Sequence, residues 1–282
     1  MIKLSIITIN YNNASGLQKT VNSVLEQTFT DFELIVVDGA STDSSVDVIK
    51  SFTNIPPGKY YTQNPTSKTQ HYHISYWISE PDNGIYHAMN KGIKVAKGEY
   101  CFFLNSGDYL VDDYVLGSVF ANNLVEKVIF GNLIVVINGK EVGRIIGKKE
   151  LTFSDIYCHT IHHQAVFLKR SLFEELGLYN ENYKIIGDWE YFIKIGINNI
   201  SYRYIDTYIS YFDNNGLSND KENWCQIIKE RQIIKDKYIP KLMHKDFEYL
   251  ERYRNYKKVF DNKLSFFIIR ILNKLFCSRL KH

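Results

Sequence analysis

Residues 3–9 form a short, largely apolar run, the pattern of a strand buried on both faces. Over residues 14–27, Leu17, Val21, Val24 and Leu25 recur at helical spacing. Residues 32–37 repeat the buried-strand pattern, and 38–43 (DGASTD) read as a turn, with Ser41 or Thr42 as the N-cap of a helix reaching Lys50. Residues 56–75 are polar and irregular; 63–75 have no derivable role beyond a lid or acceptor loop. Residues 84–96 predict a helix and 99–104 a third buried strand. Strand alternating with helix is the pattern of a parallel sheet with right-handed crossovers. Ligands of such sheets bind beyond the carboxyl ends of the strands. The polar clusters 8–12, 38–43 and 105–108 stand at those ends.

Composition narrows this picture. The chain has 282 residues, 45% hydrophobic and 23% charged, which excludes wholesale disorder and suits one large α/β domain or a domain with an appendage. A net charge of +3 gives no global field for nucleic acid. Cys101, Cys158, Cys225 and Cys277 are far apart, so neither a disulfide framework nor a zinc ribbon is expected, and a reducing compartment is the simpler reading. The N-terminal run reads as a strand rather than a signal peptide. No stretch reaches the roughly 20 apolar residues of a membrane span. The nearest, 264–276, is interrupted by Arg270 and Lys274.

Charge is unevenly placed. Residues 251–282 hold nine Lys/Arg and two acids, a net +7 that leaves −4 for the rest. Phe266, Phe267, Ile268, Ile269, Ile271, Leu272, Leu275 and Phe276 are interleaved with those cations at helical spacing. Such a segment suits an anionic membrane surface, the alternative being a helix packed on its own domain.

No G-x-G-x-x-G follows the first strand and no G-x-x-x-x-G-K-[ST] occurs, so a bound nucleotide's phosphates need another device. A carboxylate holding Mg²⁺ or Mn²⁺ is the usual one.

The segments SIITINYNN, VVDGASTD and SEPDNGIYHAMNKGIKVAKGEYCFFLNSGD resemble the family 2 glycosyltransferases, in the bacterial branch that builds exopolysaccharides, O-antigens and capsules. The resemblance covers roughly residues 3–220. It implies a GT-A fold of the α/β class: a mostly parallel central sheet flanked by helices, here with a C-terminal helical extension. It also implies a nucleotide-sugar donor, usually a UDP-sugar, and inversion at the anomeric carbon.

Carried onto this chain, the resemblance places Thr8, Asn10 and Tyr11 in the base pocket and gives Asp38 a hydrogen bond to uracil or ribose. Asp38 is the first acid of the family's V-D-D-G-S turn; Gly39 replaces the second and leaves its role vacant. As a bare residue, Asp38 is equally a turn acid. Asp82, Asn90 and Lys91 are expected at the donor, Lys91 against phosphate charge, with an exposed helix lysine as the alternative. Asn105, Ser106, Gly107 and Asp108 occupy the place of the D-x-D motif, leaving Asp108 as the only carboxylate for a divalent Mn²⁺ or Mg²⁺. His163 and Gln164 match an H-Q pair facing donor or acceptor sugar. With His159 and His162 nearby, a zinc reading competes but lacks further ligands. Asp188 matches the family's catalytic base, the alternative being a helix cap. Trp189 and Tyr183 beside it are candidate acceptor contacts, and 214–218 resemble a loop closing over the donor.

The expected organisation is a glycosyltransferase domain over 1–220, with a nucleotide-sugar half (1–108) and an acceptor half (109–220). Residues 221–282 form a helical extension docking at the cytoplasmic face of a membrane, where an undecaprenyl-linked acceptor would sit. The competing functions are another sugar-nucleotide enzyme on a similar sheet and a non-catalytic carbohydrate-binding protein.

Overall fold

The structure is a computed structural model describing residues 2–60, 73–121, 124–158, 160–214 and 221–260. The sequence expectations for His159, for nearly all of 63–75, for 215–218 and for the apolar–cationic segment beyond 260 lie outside the described residues. The chain divides into two compact units, one ending at Arg231 and one beginning at Gln232.

The first unit opens with β1 (Leu4–Asn10), α1 (Ala14–Leu25), β2 (Phe32–Asp38), α2 (Ser45–Ser51), β3 (Tyr76–Ser79), α3 (Ile85–Val95) and β4 (Tyr100–Phe103). All seven residues of β1 and all four of β4 are buried, as the unbroken runs require. β3, β2, β1 and β4 pair in parallel, side by side. The register sets Asn10 opposite Asp38 and Asp38 opposite Ser79, so three strand ends meet in one row. Leu17, Val21 and Val24 of α1 pack into the core with Leu4, Ile6, Leu34 and Val36. Each such buried aliphatic contributes roughly 1.5–3 kcal/mol.

The turn after β2 departs from the sequence expectation. α2 begins at Ser45, and Ser41 and Thr42 do not cap it. The Ser41 hydroxyl donates to Asp38 instead (2.6 Å), and Asp43 accepts the Ser45 N–H (2.9 Å).

The second half adds β5 (Tyr109–Leu110), α4 (Val115–Phe120), β6 (Val128–Ile137), β7 (Lys140–Ile145), α5 (Phe153–Cys158), β8 (Val166–Lys169), α6 (Leu172–Glu175), α7 (Gly187–Ile197) and β9 (Tyr202–Asp213). The described strands form one sheet of order β3-β2-β1-β4-β8-β6-β9-β5, with β7 beside β6. β8 runs antiparallel to both β4 and β6, whereas β6 and β9 are parallel. Parallel pairing thus holds through the first four strands, and the sheet is mixed beyond them. β6 and β7 are joined by Asn138 and Gly139, both in the left-handed region that a tight hairpin needs. Phe102 of β4 stacks on Phe167 of β8 with ring centroids 4.7 Å apart, tying the two halves of the sheet.

Two helices follow, α8 (Trp224–Tyr238) and α9 (Lys241–Phe260). The division between units falls within α8. Glu230 lies on the first unit's side of it. This buried carboxylate accepts the backbone N–H groups of Lys184 (2.7 Å), Ile185 and Ile186 (both 3.2 Å), just ahead of α7.

Candidate active site

The carboxyl ends of β1, β2 and β3 meet at Asp38, which is fully buried. Its Oδ1 accepts from Asn10 Nδ2 (2.7 Å) and the Ser41 hydroxyl (2.6 Å). Its Oδ2 accepts from the Ser41 N–H (2.9 Å) and the Ser79 hydroxyl (2.6 Å). A carboxylate has about four acceptor positions, and all are used. Asp38 therefore ties three strand ends together, with its acceptor positions taken up by Asn10, Ser41 and Ser79. Asn10 is held in the same network, and Thr8 is wholly buried beneath it. Of the β1 group, Tyr11 alone is open, with 67% of its surface exposed.

The β3–α3 loop carries Asp82, whose Oδ1 accepts the Gly84 N–H at 2.9 Å. Asn90 and Lys91, expected at the donor, do other things. Asn90 is buried. It donates to the Tyr179 carbonyl (2.9 Å) and to Glu181 (2.8 Å), and accepts the Tyr179 N–H (3.1 Å). It brackets the segment leading toward α7. Lys91 Nζ donates to the Pro81 carbonyl and pairs with Glu80, both at 2.9 Å, so its charge clamps the Asp82 loop rather than waiting for phosphate.

Residues 105–108 follow β4 and are pinned by α1. The Thr20 hydroxyl donates to the Asp108 carbonyl (2.6 Å) and accepts the Gly107 N–H (3.0 Å); Asn13 Nδ2 donates to the Ser106 carbonyl (3.1 Å). Gly107 sits at φ +106°, a conformation closed to an L side chain, so a carboxylate at that place would disrupt the loop.

The family implies a divalent ion here. Asp108, the candidate ligand, is 5% exposed, and its Oδ1 accepts the Asp213 N–H at 2.9 Å. Burial pushes its carboxyl up to about 7, against that hydrogen bond and the nearby His163. A hard cation needs ionised, accessible oxygens. Among the described residues no three His, Cys, Asp or Glu side chains converge as a ligand set. The Asp108 carboxyl, buried and bonded to the Asp213 N–H, does not present the open, ionised oxygens that an anchoring ligand supplies.

The chemistry concentrates at Asp188, in the first turn of α7. Its Oδ1 accepts the Trp189 N–H (2.9 Å) and the Tyr86 hydroxyl (3.1 Å). Its Oδ2 faces Nδ1 of His163 at 3.3 Å. Burial alone would raise the Asp188 carboxyl, but the hydrogen bonds from His163, Trp189 and Tyr86 outweigh it and hold the group below the ordinary carboxylate value. His163 Nε2 meets Asn105 Nδ2 at 3.1 Å. The two ring nitrogens of His163 are flanked by Asp188 and Asn105. A continuous chain of hydrogen bonds thus links the loop after β4 to Asp188. Both Asp188 and His163 keep 16% of their side-chain surface open.

The other acceptor candidates are buried. Trp189 is 2% exposed and its indole N–H donates to the Ile156 carbonyl at 2.8 Å. Tyr183 and Gln164 are likewise buried. Gln164 anchors β9, its carbonyl accepting from Ser210, and its side chain lies against Asp108. Tyr86, Thr20, Asn13 and Glu230 were missed by the sequence reading. Tyr86 lies inside the resembling segment, but nothing local marks it, because its partner is 102 residues away.

The family model for glycosyl transferase family 2 matches residues 5–177. A PGL/p-HBAD biosynthesis glycosyltransferase of Mycobacterium bovis is 31% identical over 226 residues, covering 77% of this chain and 81% of the relative. Among solved structures, S. aureus TarS residues 1–349 in complex with UDP-GlcNAc superposes with a TM-score of 0.62 at 19% identity, over 92% of this chain and 74% of that one. The mannosyltransferase PcManGT of Pyrobaculum calidifontis, in complex with GDP-Man and Mn²⁺, superposes with a TM-score of 0.54 at 16% identity, over 82% and 60%. These likenesses share the GT-A architecture of a sheet flanked by helices. On the strength of the family model and the relative together, the chain belongs to glycosyl transferase family 2.

Proposed function

We propose that this glycosyltransferase moves a sugar, with inversion, from a UDP-sugar to a hydroxyl of a glycan or lipid-linked glycan during cell-surface polysaccharide assembly, with Asp188 as general base. The observation that carries the reading is the state of Asp188: ionised, partly open, and oriented by three neighbours.

An inverting transfer is a single in-line displacement at the anomeric carbon. The acceptor hydroxyl must lose its proton as it attacks, and a carboxylate within hydrogen-bond reach takes it. Both acceptor positions on Asp188 Oδ1 are occupied, whereas among the described residues Oδ2 meets His163 alone, which leaves a position for the hydroxyl. His163 fixes the carboxylate's rotation, and Asn105 fixes His163. No covalent enzyme intermediate is needed. No step here is routed through a metal ion.

The test is release of UDP from a panel of UDP-sugars. Asp188→Asn should lower turnover by about 10²–10⁴-fold, the usual span of a general base. Calorimetric UDP affinity should change by less than about twofold, since the variant keeps the hydrogen-bonding shape. Because the hydrogen bonds from His163, Trp189 and Tyr86 outweigh burial and hold the Asp188 carboxyl below the ordinary carboxylate range, its protonation should put no acid limb on the rate between about pH 5 and 8. Full turnover in Asp188→Asn would remove it as base, and a wild-type chain that binds no UDP would end the donor reading.

A further inference from the structure

Position 39 has no side chain, yet the space beside it is filled. A Cβ built on Gly39 would lie 2.5 Å from Oδ2 of Asp82 and 3.3 Å from Cδ2 of Tyr11. Gly39 is not among the glycines with positive φ, so its backbone would accept any residue. What excludes a side chain there is the Asp82 carboxylate, which arrives from the β3–α3 loop.

That carboxylate is oriented but not exhausted. Oδ1 accepts the Gly84 N–H, and Lys91 clamps the loop through the Pro81 carbonyl and Glu80. Oδ2 accepts no hydrogen bond from the described residues. Asp38, one residue from Gly39, has every acceptor position filled. The oxygen available at this rim is therefore Oδ2 of Asp82, within contact range of the same point as the exposed ring of Tyr11.

We propose that Asp82 supplies the base-reading carboxylate that the β2 turn lacks: its Oδ2 accepts the imide N–H of a uracil while the Tyr11 ring stacks on the base. This rests on the nucleotide-sugar reading above and names the residue that selects its base. The chemistry favours uracil. Its ring N3–H is one donor between two carbonyls and matches one free acceptor oxygen. Guanine presents two adjacent donors and wants both carboxylate oxygens, but Oδ1 is committed to Gly84. Cytosine N3 is an acceptor and would oppose the carboxylate. An aromatic face stacks on any base and so adds affinity without choice.

Asp82→Asn separates this role from a structural one. Its amide oxygen can still accept the Gly84 N–H, which turns the NH₂ toward the base and replaces an acceptor with a donor. Calorimetry with UDP should show binding weakened by about tenfold to a hundredfold, the worth of a hydrogen bond to a charged group, with the melting temperature unchanged. The preference of wild type for UDP over CDP should shrink by a similar factor. Gly39→Asp combined with Asp82→Ala moves the carboxylate to the other side of the same space and should recover at least part of the lost affinity. Asp82→Asn binding UDP within about twofold of wild type would overturn the assignment while leaving the UDP-sugar reading intact. A folded double variant that recovers nothing would overturn it too. If wild type itself binds no UDP, it is the donor reading that fails.

Discussion

Asp82 and Asn90 stand eight positions apart, and the sequence gives no reason to rank them. In the fold Asn90 is spent on Tyr179 and Glu181, 89 and 91 residues away, while Asp82 keeps an oxygen open. Whether a polar residue is a ligand or a bracket depends on which distant groups reach it, and no local pattern carries that. Asp108 makes the same point with a measurable consequence. Unfolded, its carboxyl ionises near 3.8; folded, burial holds the proton to about 7. The folded chain therefore binds more protons than the unfolded one between those values, and stability falls as pH rises through that window. Asp108→Asn does not titrate. Its unfolding free energy should lose less than that of wild type between about pH 4 and pH 8, by on the order of 1–4 kcal/mol. Urea unfolding at the two pH values checks this, and equal pH dependence would mean that Asp108 is ionised in the fold. The same variant should leave any effect of EDTA on UDP binding unchanged, because the group is turned toward the Asp213 N–H rather than toward a donor.

At the scale of elements, β1, β2 and β4 were legible because burial on both faces writes an unbroken apolar run, whereas the four-residue β3, only half-buried at most of its positions, was not. The helices beside them were legible from their spacing, although the cap of α2 was not. β6 carries a buried apolar run broken only by Gly131 and Asn132, but β7 and β9 left no comparable mark. The burial of β9 is broken along its length, and its pairing with β6 shifts register twice, so neither strict alternation nor a continuous run appears. The function of α8 was also invisible in advance. Its Glu230 accepts three consecutive N–H groups ahead of α7, and this holds the approach to Asp188. Glu230→Ala leaves three donors without their partner and should destabilise the chain by about 1–3 kcal/mol. The effect on chemistry should fall on turnover, because the segment positions the base and does not touch the Tyr11–Asp82 rim. Chemical unfolding combined with UDP calorimetry and turnover tests this; a loss of UDP affinity equal to the loss of turnover would show that the helix supports the donor pocket instead.

For the whole molecule the remaining question is where it works, and the charge distribution supplies a physical expectation. Among the described residues no helix is long and apolar enough to cross a membrane. Residues 251–282 nevertheless carry +7 while the other residues carry −4, and the cations alternate with Phe, Ile and Leu. Near an anionic bilayer each Lys or Arg is worth about 1 kcal/mol, and buried apolar side chains add to this without regard to salt. A lipid-linked acceptor stays in the bilayer, so an enzyme held at that surface meets it by lateral diffusion alone. The full chain should therefore co-sediment with vesicles containing anionic lipid and much less with neutral ones. Raising salt from about 0.1 M to 1 M shortens the screening length from about 10 to 3 Å and should release part of it, leaving the apolar share bound. Deleting 261–282 removes five cations and one acid together with the whole apolar stripe, and should abolish sedimentation at either salt. That deletion removes none of the residues named around Asp188 and Asp82, so UDP affinity in solution should be preserved while transfer to an acceptor embedded in vesicles falls. Equal sedimentation with and without 261–282 would remove the membrane role from this segment and leave its charge to be explained by contacts with its own chain.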